Sequence, residues 1–178
     1  MRTFIAIDLP SELRRSFSGV SRELEGKGVT LVGEEVMHLS LHFLGDLSEK
    51  QIDEVREVLG QIKPSGFEVE IAGLWFFTPT FLKVVFAKLS KGEAECTAIY
   101  NQLSNSLLEI GVIEEKEYRP HITLARINRG ADNRKILEVI EKYRKHNFGS
   151  FAVNSIKLKA SELTESGPIY TDLYEVQF

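Results

Sequence analysis

Cysteine is almost missing from this chain of 178 residues, which contains only Cys96. One cysteine cannot form a disulfide within the chain, and it cannot supply the paired ligands of a zinc finger. Proteins without disulfides are typical of reducing compartments, so we expect this protein to be cytoplasmic.

Long hydrophobic runs are missing too. No apolar segment approaches the roughly 18–20 residues that a membrane-spanning helix needs. The amino-terminal segment 1–8 is too short, and is charged too early, to be a signal peptide. We therefore expect no membrane partner.

Positive charge is in deficit, since the formal net charge is −4 and the pI is about 5.7. A protein that coats a nucleic acid duplex needs a basic face, so this class is disfavoured. A small anionic ligand, or the end of an RNA strand, needs only a local basic spot.

The hydrophobic fraction of 43% and the charged fraction of 27% are typical of a soluble globular protein. The length suits a single domain spanning 1–178.

Motifs for nucleotide cofactors are absent from the sequence. The chain has no P-loop and no Gly-x-Gly-x-x-Gly, and it lacks the Gly-x-Ser-x-Gly of serine hydrolases. The lone Cys96 falls in a predicted helix, where a nucleophile is not expected. The sequence therefore predicts no cofactor and no serine or cysteine nucleophile.

A short pattern of one histidine, one hydroxyl residue and a leucine is present twice. The copies are His38-Leu39-Ser40-Leu41 and His121-Ile122-Thr123-Leu124, nearly half the chain apart. On a strand, residues i and i+2 lie on one face about 6.5–7 Å apart. For one copy alone, a surface histidine on an amphipathic strand is the simpler interpretation. Two copies favour a site in which two imidazoles act as acid and base and two hydroxyls hold a phosphoryl oxyanion.

The order of predicted elements also repeats. Each half runs helix, histidine strand, helix, strand, turn, strand, after an opening strand at 3–9. We interpret this as an internal duplication. It predicts an α+β fold of two pseudo-symmetric lobes, each an antiparallel sheet with helices on its outer face and a central cleft between them. The predicted helices are 11–24, 48–62, 93–108 and 133–143, and the predicted strands are 3–9, 36–43, 67–74, 81–89, 118–126, 148–158 and 169–178, with turns at 78–80 and 165–168.

Metal catalysis is the main alternative use of the histidines. His38 and His42 share a face under strict alternation but lie about 13 Å apart on a strand, so they cannot hold one ion. Hydroxyls, which are poor zinc ligands, occupy the i+2 positions. Acid–base chemistry fits better, because an unperturbed imidazole titrates near pH 6.5. We therefore predict no metal.

The cation that a phosphate needs is harder to place. Arg126 follows the second motif, but strict alternation puts it on the face opposite His121. It reaches the site only if the strand twists, bulges or ends after Leu124. Phe43 has the same parity problem and is expected in the core, while His42 is expected at the rim of the His38 face. Weaker candidates are Lys83 and Arg119, and His146 is expected at the surface.

With both motifs in hand, the chain resembles the 2H phosphoesterase superfamily, and within it the RNA 2′,3′-cyclic phosphodiesterases, also called 2′-5′ RNA ligases. The similarity covers essentially the whole chain. It rests on the opening segment 2–7, the extended motifs 38–45 and 120–126, and the closing Ser161-Glu162-Leu163 with Gly167-Pro168-Ile169-Tyr170.

The resemblance implies metal-independent opening of a 2′,3′-cyclic phosphate to a 2′-phosphate. It implies that His38 donates a proton to the 3′ oxygen and that His121 accepts one from water. It also implies that the phosphate contacts are Ser40, Thr123 and Arg126, and that Phe43 lies beside the base or sugar. Position 40 departs from the family, where Thr is usual, so we expect retained activity with looser positioning.

Two other functions remain open on the sequence alone. One is a module that binds RNA ends or nucleotides with little turnover, and the other is reversible 2′-5′ ligation of RNA ends. Both would use the same histidines. In each case the expected partner is an RNA end bearing a cyclic phosphate, or a related nucleotide, and the expected state is a monomer.

Overall fold

Antiparallel strands make up most of the computed structural model, which describes residues 1–77, 82–112, 118–165 and 167–178. The strands are β1 Arg2–Asp8, β2 Val29–Leu31, β3 His38–Asp46, β4 Phe67–Phe76, β5 Val84–Lys91, β6 His121–Ile127, β7 Asn147–Val153, β8 Ser155–Thr164 and β9 Gly167–Gln177. The helices are α1 Ser11–Ser16, α2 Ser18–Leu24, α3 Glu49–Gln61, α4 Glu93–Glu109 and α5 Asn133–Lys142, with a 3-10 turn at Glu34–Val36.

The strands form one sheet in the order β7-β4-β5-β6-β3-β1-β8-β9, and β2 also pairs with β6. The two motif strands, β3 and β6, meet at the middle of this order, where they pair only at Leu39 and Ile122. Four strands of this order therefore lie on each side of a weakly hydrogen-bonded junction, and β2 adds a fifth strand on the β6 side. The predicted α+β class with two antiparallel groups of strands is confirmed.

The two groups do not follow the two halves of the chain. One group combines β1 and β3 with the carboxy-terminal β8 and β9, and the other consists of β2 and β4 to β7. The chain changes group at Asn154, because β7 pairs with β4 whereas β8 pairs with β1. The single strand predicted at 148–158 is therefore wrong. The apolar alternation shifts phase at this point, from Phe151 and Val153 to Ile156 and Leu158, which is a signal that the prediction of one strand did not use. The internal duplication stays a prediction.

The helix predicted at 11–24 is divided into α1 and α2 at Phe17. Phe17 is fully buried and its ring packs against Phe148 at 4.7 Å. Neither Gly nor Pro occupies this position, so helical periodicity alone could not reveal the break. The start of α3 is as expected, because the Ser48 hydroxyl accepts from the Gln51 amide in a capping box.

The remaining predicted elements are present with shifted ends. The short β2 was not predicted, because three residues give too little periodicity. The turn predicted at 78–80 lies outside the described residues, as does Ser166 of the turn at 165–168.

Buried apolar side chains from one face of the sheet and from the helices form a single core. Ile5, Leu39 and Ile122 point into it from the central strands, and Leu103 and Leu107 meet them from α4. The other face of the central strands is left to carry polar groups. In the described ranges, no helix is both long enough and apolar enough to cross a bilayer.

Candidate active site

A β-bulge in β3 changes which residues accompany His38. Ala6 pairs with Ser40 but Ile5 pairs with His42, so Leu41 is an extra residue on β3. Alternation is reset there. Phe43 joins the His38 face and is 46% exposed, whereas His42 turns into the core and is 1% exposed. Both expectations were wrong, that of a buried Phe43 and that of a rim His42, because they assumed an unbroken strand.

The second motif strand bulges at the equivalent position. Thr123 pairs with Phe86 but Ala125 pairs with Val85, which makes Leu124 the extra residue. Arg126 then lies on the same face as Thr123. The sequence required a twist, a bulge or a strand end for Arg126 to reach the His121 face, and the bulge at Leu124 provides it.

The junction register brings the two motifs together. Because Leu39 pairs antiparallel with Ile122, His38 lies across from Thr123 and Ser40 lies across from His121. Directly opposed Cβ atoms are typically about 4.5–5.5 Å apart, and diagonal neighbours about 7–8 Å apart. Each imidazole therefore stands beside the other motif's hydroxyl, and the two imidazoles face each other diagonally.

Both imidazoles are oriented by the same backbone contact. Nδ1 of His38 is 2.9 Å from the Val36 carbonyl, and Nδ1 of His121 is 2.7 Å from the Arg119 carbonyl. A carbonyl oxygen can only accept, so each Nδ1 carries the proton of that hydrogen bond. In the neutral ring Nε2 is then the nitrogen without a proton, and it is the atom that can accept one.

Aromatic rings enclose each imidazole. Phe4 and Tyr170 lie 4.8 and 5.4 Å from the ring of His38. Phe77 and Phe86 lie 4.9 and 5.3 Å from the ring of His121. These contacts fix the rings and exclude water from one side of each.

Burial is the largest cause that lowers the pKa of both histidines from the usual 6.5. The backbone hydrogen bond to Nδ1 raises the pKa of each and partly offsets this. Nearby positive charge lowers it further, from Lys159 and His121 on His38, and from Arg126 on His121. In the free protein, both imidazoles therefore favour the neutral form.

A group of four charged side chains that sequence reasoning missed lies next to His38. Lys159, 7% exposed, contacts Asp8 at 2.8 Å and also Asp172, and Lys157 contacts the same two carboxylates at 2.9 and 2.7 Å. Burial alone would raise the pKa of Asp8, but hydrogen bonds from both lysines outweigh it and lower that pKa. Asp8 pairs with His38 across β1 and β3. Lys157 and Lys159 are two residues apart on β8, and this spacing could have predicted two lysines on one face of a strand.

The other basic candidates lie at the surface. Arg126 is exposed, and its charge lowers the pKa of His121 and opposes the rise that burial causes in the pKa of Tyr170. Lys83 and Arg119 are also exposed. Arg119 serves the site through its carbonyl, which orients His121.

A cavity of about 540 Å³ opens on the His38 side of the junction. His38, Tyr170 and Lys159 line it, together with Arg14 and Glu35 from the edge of the fold. His121 is not part of its wall, so the two sides of the site differ.

A stack of three rings supports the first motif from behind. His42 lies 5.0 Å from the ring of Tyr100, which lies 4.2 Å from the ring of Tyr118. The Tyr118 hydroxyl donates to the Ser40 carbonyl at 3.3 Å. Burial lowers the pKa of His42 to about 4, so this ring is neutral near pH 7. Tyr118 thus connects β3 to the segment that leads into His121, a role that the sequence did not reveal.

The remaining histidine and the single cysteine lie outside the candidate site. His146 is exposed beside Tyr143 and Phe148, as expected, and Cys96 is buried in α4. Over the described ranges, no three His, Cys, Asp or Glu side chains form a group that could hold a metal ion.

Solved structures with this fold define the class. A Thermus thermophilus protein superposes with a TM-score of 0.83 at 25% identity, covering 99% of this chain and 97% of that one. Escherichia coli LigT complexed with 3′-AMP has the same fold, with a TM-score of 0.83 at 23% identity and coverages of 99% and 97%. The chain therefore has the fold of LigT, with a His-x-Ser/Thr motif on each of its two central strands.

The family follows from sequence comparison. The family model described as the AKAP7 2′5′ RNA ligase-like domain matches residues 9–178. The RNA 2′,3′-cyclic phosphodiesterase of Archaeoglobus fulgidus is 32% identical, covering 97% of this chain and 98% of that protein. The protein of the same name from Thermotoga maritima is 36% identical, with coverages of 100% and 96%. The chain belongs to the 2′-5′ RNA ligase-like family of 2H phosphoesterases.

Proposed function

We propose that this protein hydrolyses the 2′,3′-cyclic phosphodiester at RNA ends and leaves a 2′-phosphate. The observation that supports it best is the quartet of His38, Ser40, His121 and Thr123 on one face of the junction. Relatives at 30–36% identity over nearly their full length are RNA 2′,3′-cyclic phosphodiesterases. We also propose a cytoplasmic monomer whose partner is an RNA end.

In this proposal the two imidazoles act on opposite sides of phosphorus. Nε2 of His121 takes a proton from water as the water oxygen bonds to phosphorus. The bond from phosphorus to the 3′ oxygen breaks, and that oxygen takes the proton held on Nε2 of His38. The 2′ ester bond is untouched, so the product is a 2′-phosphate. After one turnover His121 has gained a proton and His38 has lost one, and exchange with solvent water restores the starting state of both.

The remaining residues of the site stabilise the negative charge on the phosphoryl group. Ser40 and Thr123 donate hydrogen bonds to the non-bridging oxygens. Arg126 adds a fixed positive charge and a planar donor pair suited to phosphate. Phe43, exposed on the same face, packs against the sugar or base. Because burial keeps both imidazoles neutral in the free protein, the bound phosphate anion supplies the charge that favours a protonated His38.

The test is turnover of an oligoribonucleotide with a cyclic-phosphate end by protein treated with EDTA. His38→Ala and His121→Ala should each lose about 10²–10⁴-fold in kcat, the usual contribution of a general acid or base. His146→Ala is the matched control, since this histidine is exposed away from the site, and it should keep wild-type turnover. Full activity in either site variant would contradict the two-histidine mechanism, whereas binding without turnover by the wild-type protein would favour a binding module. Activity that EDTA abolishes and zinc restores would exclude metal-independent catalysis.

The double variant provides a further check. Groups that act as a unit lose far less together than the product of their separate losses. His38→Ala/His121→Ala should therefore fall little below the weaker single variant.

A further inference from the structure

A second surface of the sheet combines an exposed aromatic ring with two cations. It consists of Trp75 on β4, Lys88 on β5 and Arg144 after α5, and we call it the Trp75 platform. In strand order it lies beyond β6, on the side opposite the cavity next to His38. The residues of the proposed reaction do not include any of the three.

Strand register connects this platform to His121. Trp75 pairs with Phe86, whose ring is 5.3 Å from that of His121, and Lys88 pairs directly with His121. Paired residues share a face, so Trp75 and Lys88 lie on the face that carries the motifs. Two strand spacings separate β4 from β6, which amounts to roughly 9–10 Å.

The charges of the platform complement a phosphate backbone. Nζ of Lys88 lies 5.4 Å, and the guanidinium carbon of Arg144 lies 5.3 Å, from the centre of the Trp75 ring. Among the described residues, Lys88 makes no ion pair, and Arg144 pairs only with the exposed Glu141 at 3.1 Å. Two cations around one ring are a local positive site in a chain whose net charge is −4.

The ring is partly accessible, and the ring of Phe76 lies 5.8 Å from it. Trp75 is 38% exposed, although a tryptophan ring is costly to leave in water. An aromatic side chain flanked by Lys and Arg is the combination that single-stranded RNA uses, because bases stack on the ring and phosphates meet the cations.

We propose that the Trp75 platform binds the single-stranded RNA adjoining the reacting end. A base of this segment stacks on Trp75, and its phosphates contact Lys88 and Arg144. This inference rests on the proposed function, and it adds that the substrate is an oligonucleotide strand rather than a cyclic mononucleotide.

The direct test uses fluorescence, because Trp75 is the only tryptophan of the chain. Wild-type protein is titrated with a short oligoribonucleotide ending in a 2′-phosphate and, separately, with the matching nucleoside 2′-monophosphate. Stacking of a base should quench the Trp75 emission with the oligonucleotide and not with the mononucleotide. Unchanged emission at saturating oligonucleotide, or equal quenching by the two ligands, would overturn the proposal.

Charge variants test the phosphate contacts in the same titration. Lys88→Gln and Arg144→Gln should each weaken oligonucleotide binding and reduce its salt dependence, by about 0.7 in the log–log slope for each phosphate contact removed. Arg134→Gln and Lys50→Gln are the matched controls, since both residues are exposed helical cations in ion pairs elsewhere. A loss in the controls equal to that in the platform variants would mean only general electrostatic attraction, which contradicts a defined site.

Kinetics separates this inference from the proposed function. Trp75→Ala should reduce the ratio of kcat/KM for a cyclic-ended oligonucleotide to that for a cyclic mononucleotide by about tenfold, the effect of one lost base stack. Leu108→Ala, an exposed apolar control on α4, should leave this ratio unchanged. Equal losses on both substrates would contradict the platform. If wild-type protein hydrolyses neither substrate, the proposed function fails, while the fluorescence titration still decides whether RNA binds at Trp75.

Discussion

At the scale of single residues, two features control the proton chemistry of the site, the carbonyl bound by each Nδ1 and the burial of each ring. The hydrogen bond to the carbonyl fixes the tautomer of each ring, and burial favours its neutral form. Ser40 keeps the hydroxyl of the first motif in a nearly buried position, 6% exposed. Retained activity with looser positioning than Thr would give stays the prediction for this position.

The lowered histidine pKa values predict an acid-shifted pH profile. The acid limb of kcat/KM reports protonation of the base, and the alkaline limb reports loss of the proton from the acid, both in the free enzyme. Because burial lowers the pKa of both groups, both limbs should lie on the acid side of their usual positions near 6.5. The limbs of kcat should lie at higher pH, because the bound phosphate anion stabilises an imidazolium. Limbs of kcat/KM well above pH 7 would contradict this assignment.

Replacing Arg126 should change both the rate and the pH dependence of the rate. Its charge lowers the pKa of His121, so Arg126→Gln should move the acid limb of kcat/KM to higher pH. Loss of its charge should also reduce kcat by about 10²-fold, as for removal of one donor from an oxyanion site. A pH–rate series on the variant checks both effects. A reduced rate with an unmoved acid limb would show that Arg126 does not act on His121.

His42 should make the fold less stable in acid. Its pKa is about 4 in the folded state and about 6.5 in the unfolded state, so the unfolded chain binds more protons between these values. The free energy of unfolding contributed by His42 is complete above pH 6.5 and is lost as the pH falls towards 4. The loss amounts to about 3 kcal/mol. Urea unfolding of His42→Gln should show a correspondingly smaller fall from pH 7 to pH 4 than wild type, whereas the surface control His146→Gln should follow wild type.

At the scale of elements, the two bulges give the site its composition. Each bulge falls on the leucine that closes a motif, Leu41 or Leu124, and each turns the residue two positions later onto the active face. Phe43 and Arg126 therefore occupy equivalent positions, each five residues after its histidine. The first motif strand therefore places an aromatic ring, and the second a cation, at the same position after the bulge. The two strands are nearly symmetric in backbone but differ in the side chain at this position.

Sequence reasoning predicted the two motif strands, but it predicted neither their pairing at Leu39 and Ile122 nor the bulges. Alternation located His38 with Ser40 and His121 with Thr123, because the hydroxyl precedes the bulge in each strand. It failed for His42, Phe43 and Arg126, which follow the bulge. Leucine occurs both at bulges and at regular paired positions, so its presence does not predict a bulge. A residue is extra only in the register with the neighbouring strand. The register of β1 and β5 therefore had to be known first.

Tyr118 is expected to position the first motif. Its hydroxyl donates to the Ser40 carbonyl across a junction that pairs only at Leu39 and Ile122. Tyr118→Phe keeps the ring stack but removes this bond, at a cost of about 1 kcal/mol of stability. Because Ser40 is then held less firmly, kcat should fall severalfold with KM nearly unchanged. Tyr174→Phe, at an exposed position on β9, is the control for loss of a tyrosine hydroxyl. Equal effects of the two variants on kcat would rule out a positioning role.

At the scale of the whole molecule, the chain is threaded through both groups of strands. The amino-terminal β1 and β3 need the carboxy-terminal β8 and β9 to complete their group, while β2 and β4 to β7 form the other. The sequence predicted the α+β class, two groups of strands and a shared cleft from repeated order. It could not predict the interleaving, since hydrophobic periodicity reports burial and not partner choice. The Lys157, Lys159, Asp8 and Asp172 group was missed for the same reason, because distant strands bring it together.

The central claim is that His38 and His121 act from fixed and opposite sides of a cyclic phosphate, and the most direct measurement is the isomer of the product. EDTA-treated protein is incubated with an oligoribonucleotide bearing a 2′,3′-cyclic phosphate, and the terminal nucleotides are separated against 2′- and 3′-phosphate standards. We expect the 2′-phosphate alone, and we expect the same isomer, formed more slowly, from Ser40→Ala and Thr123→Ala. A predominantly 3′-phosphate product, or a mixture of both isomers, would contradict the claim.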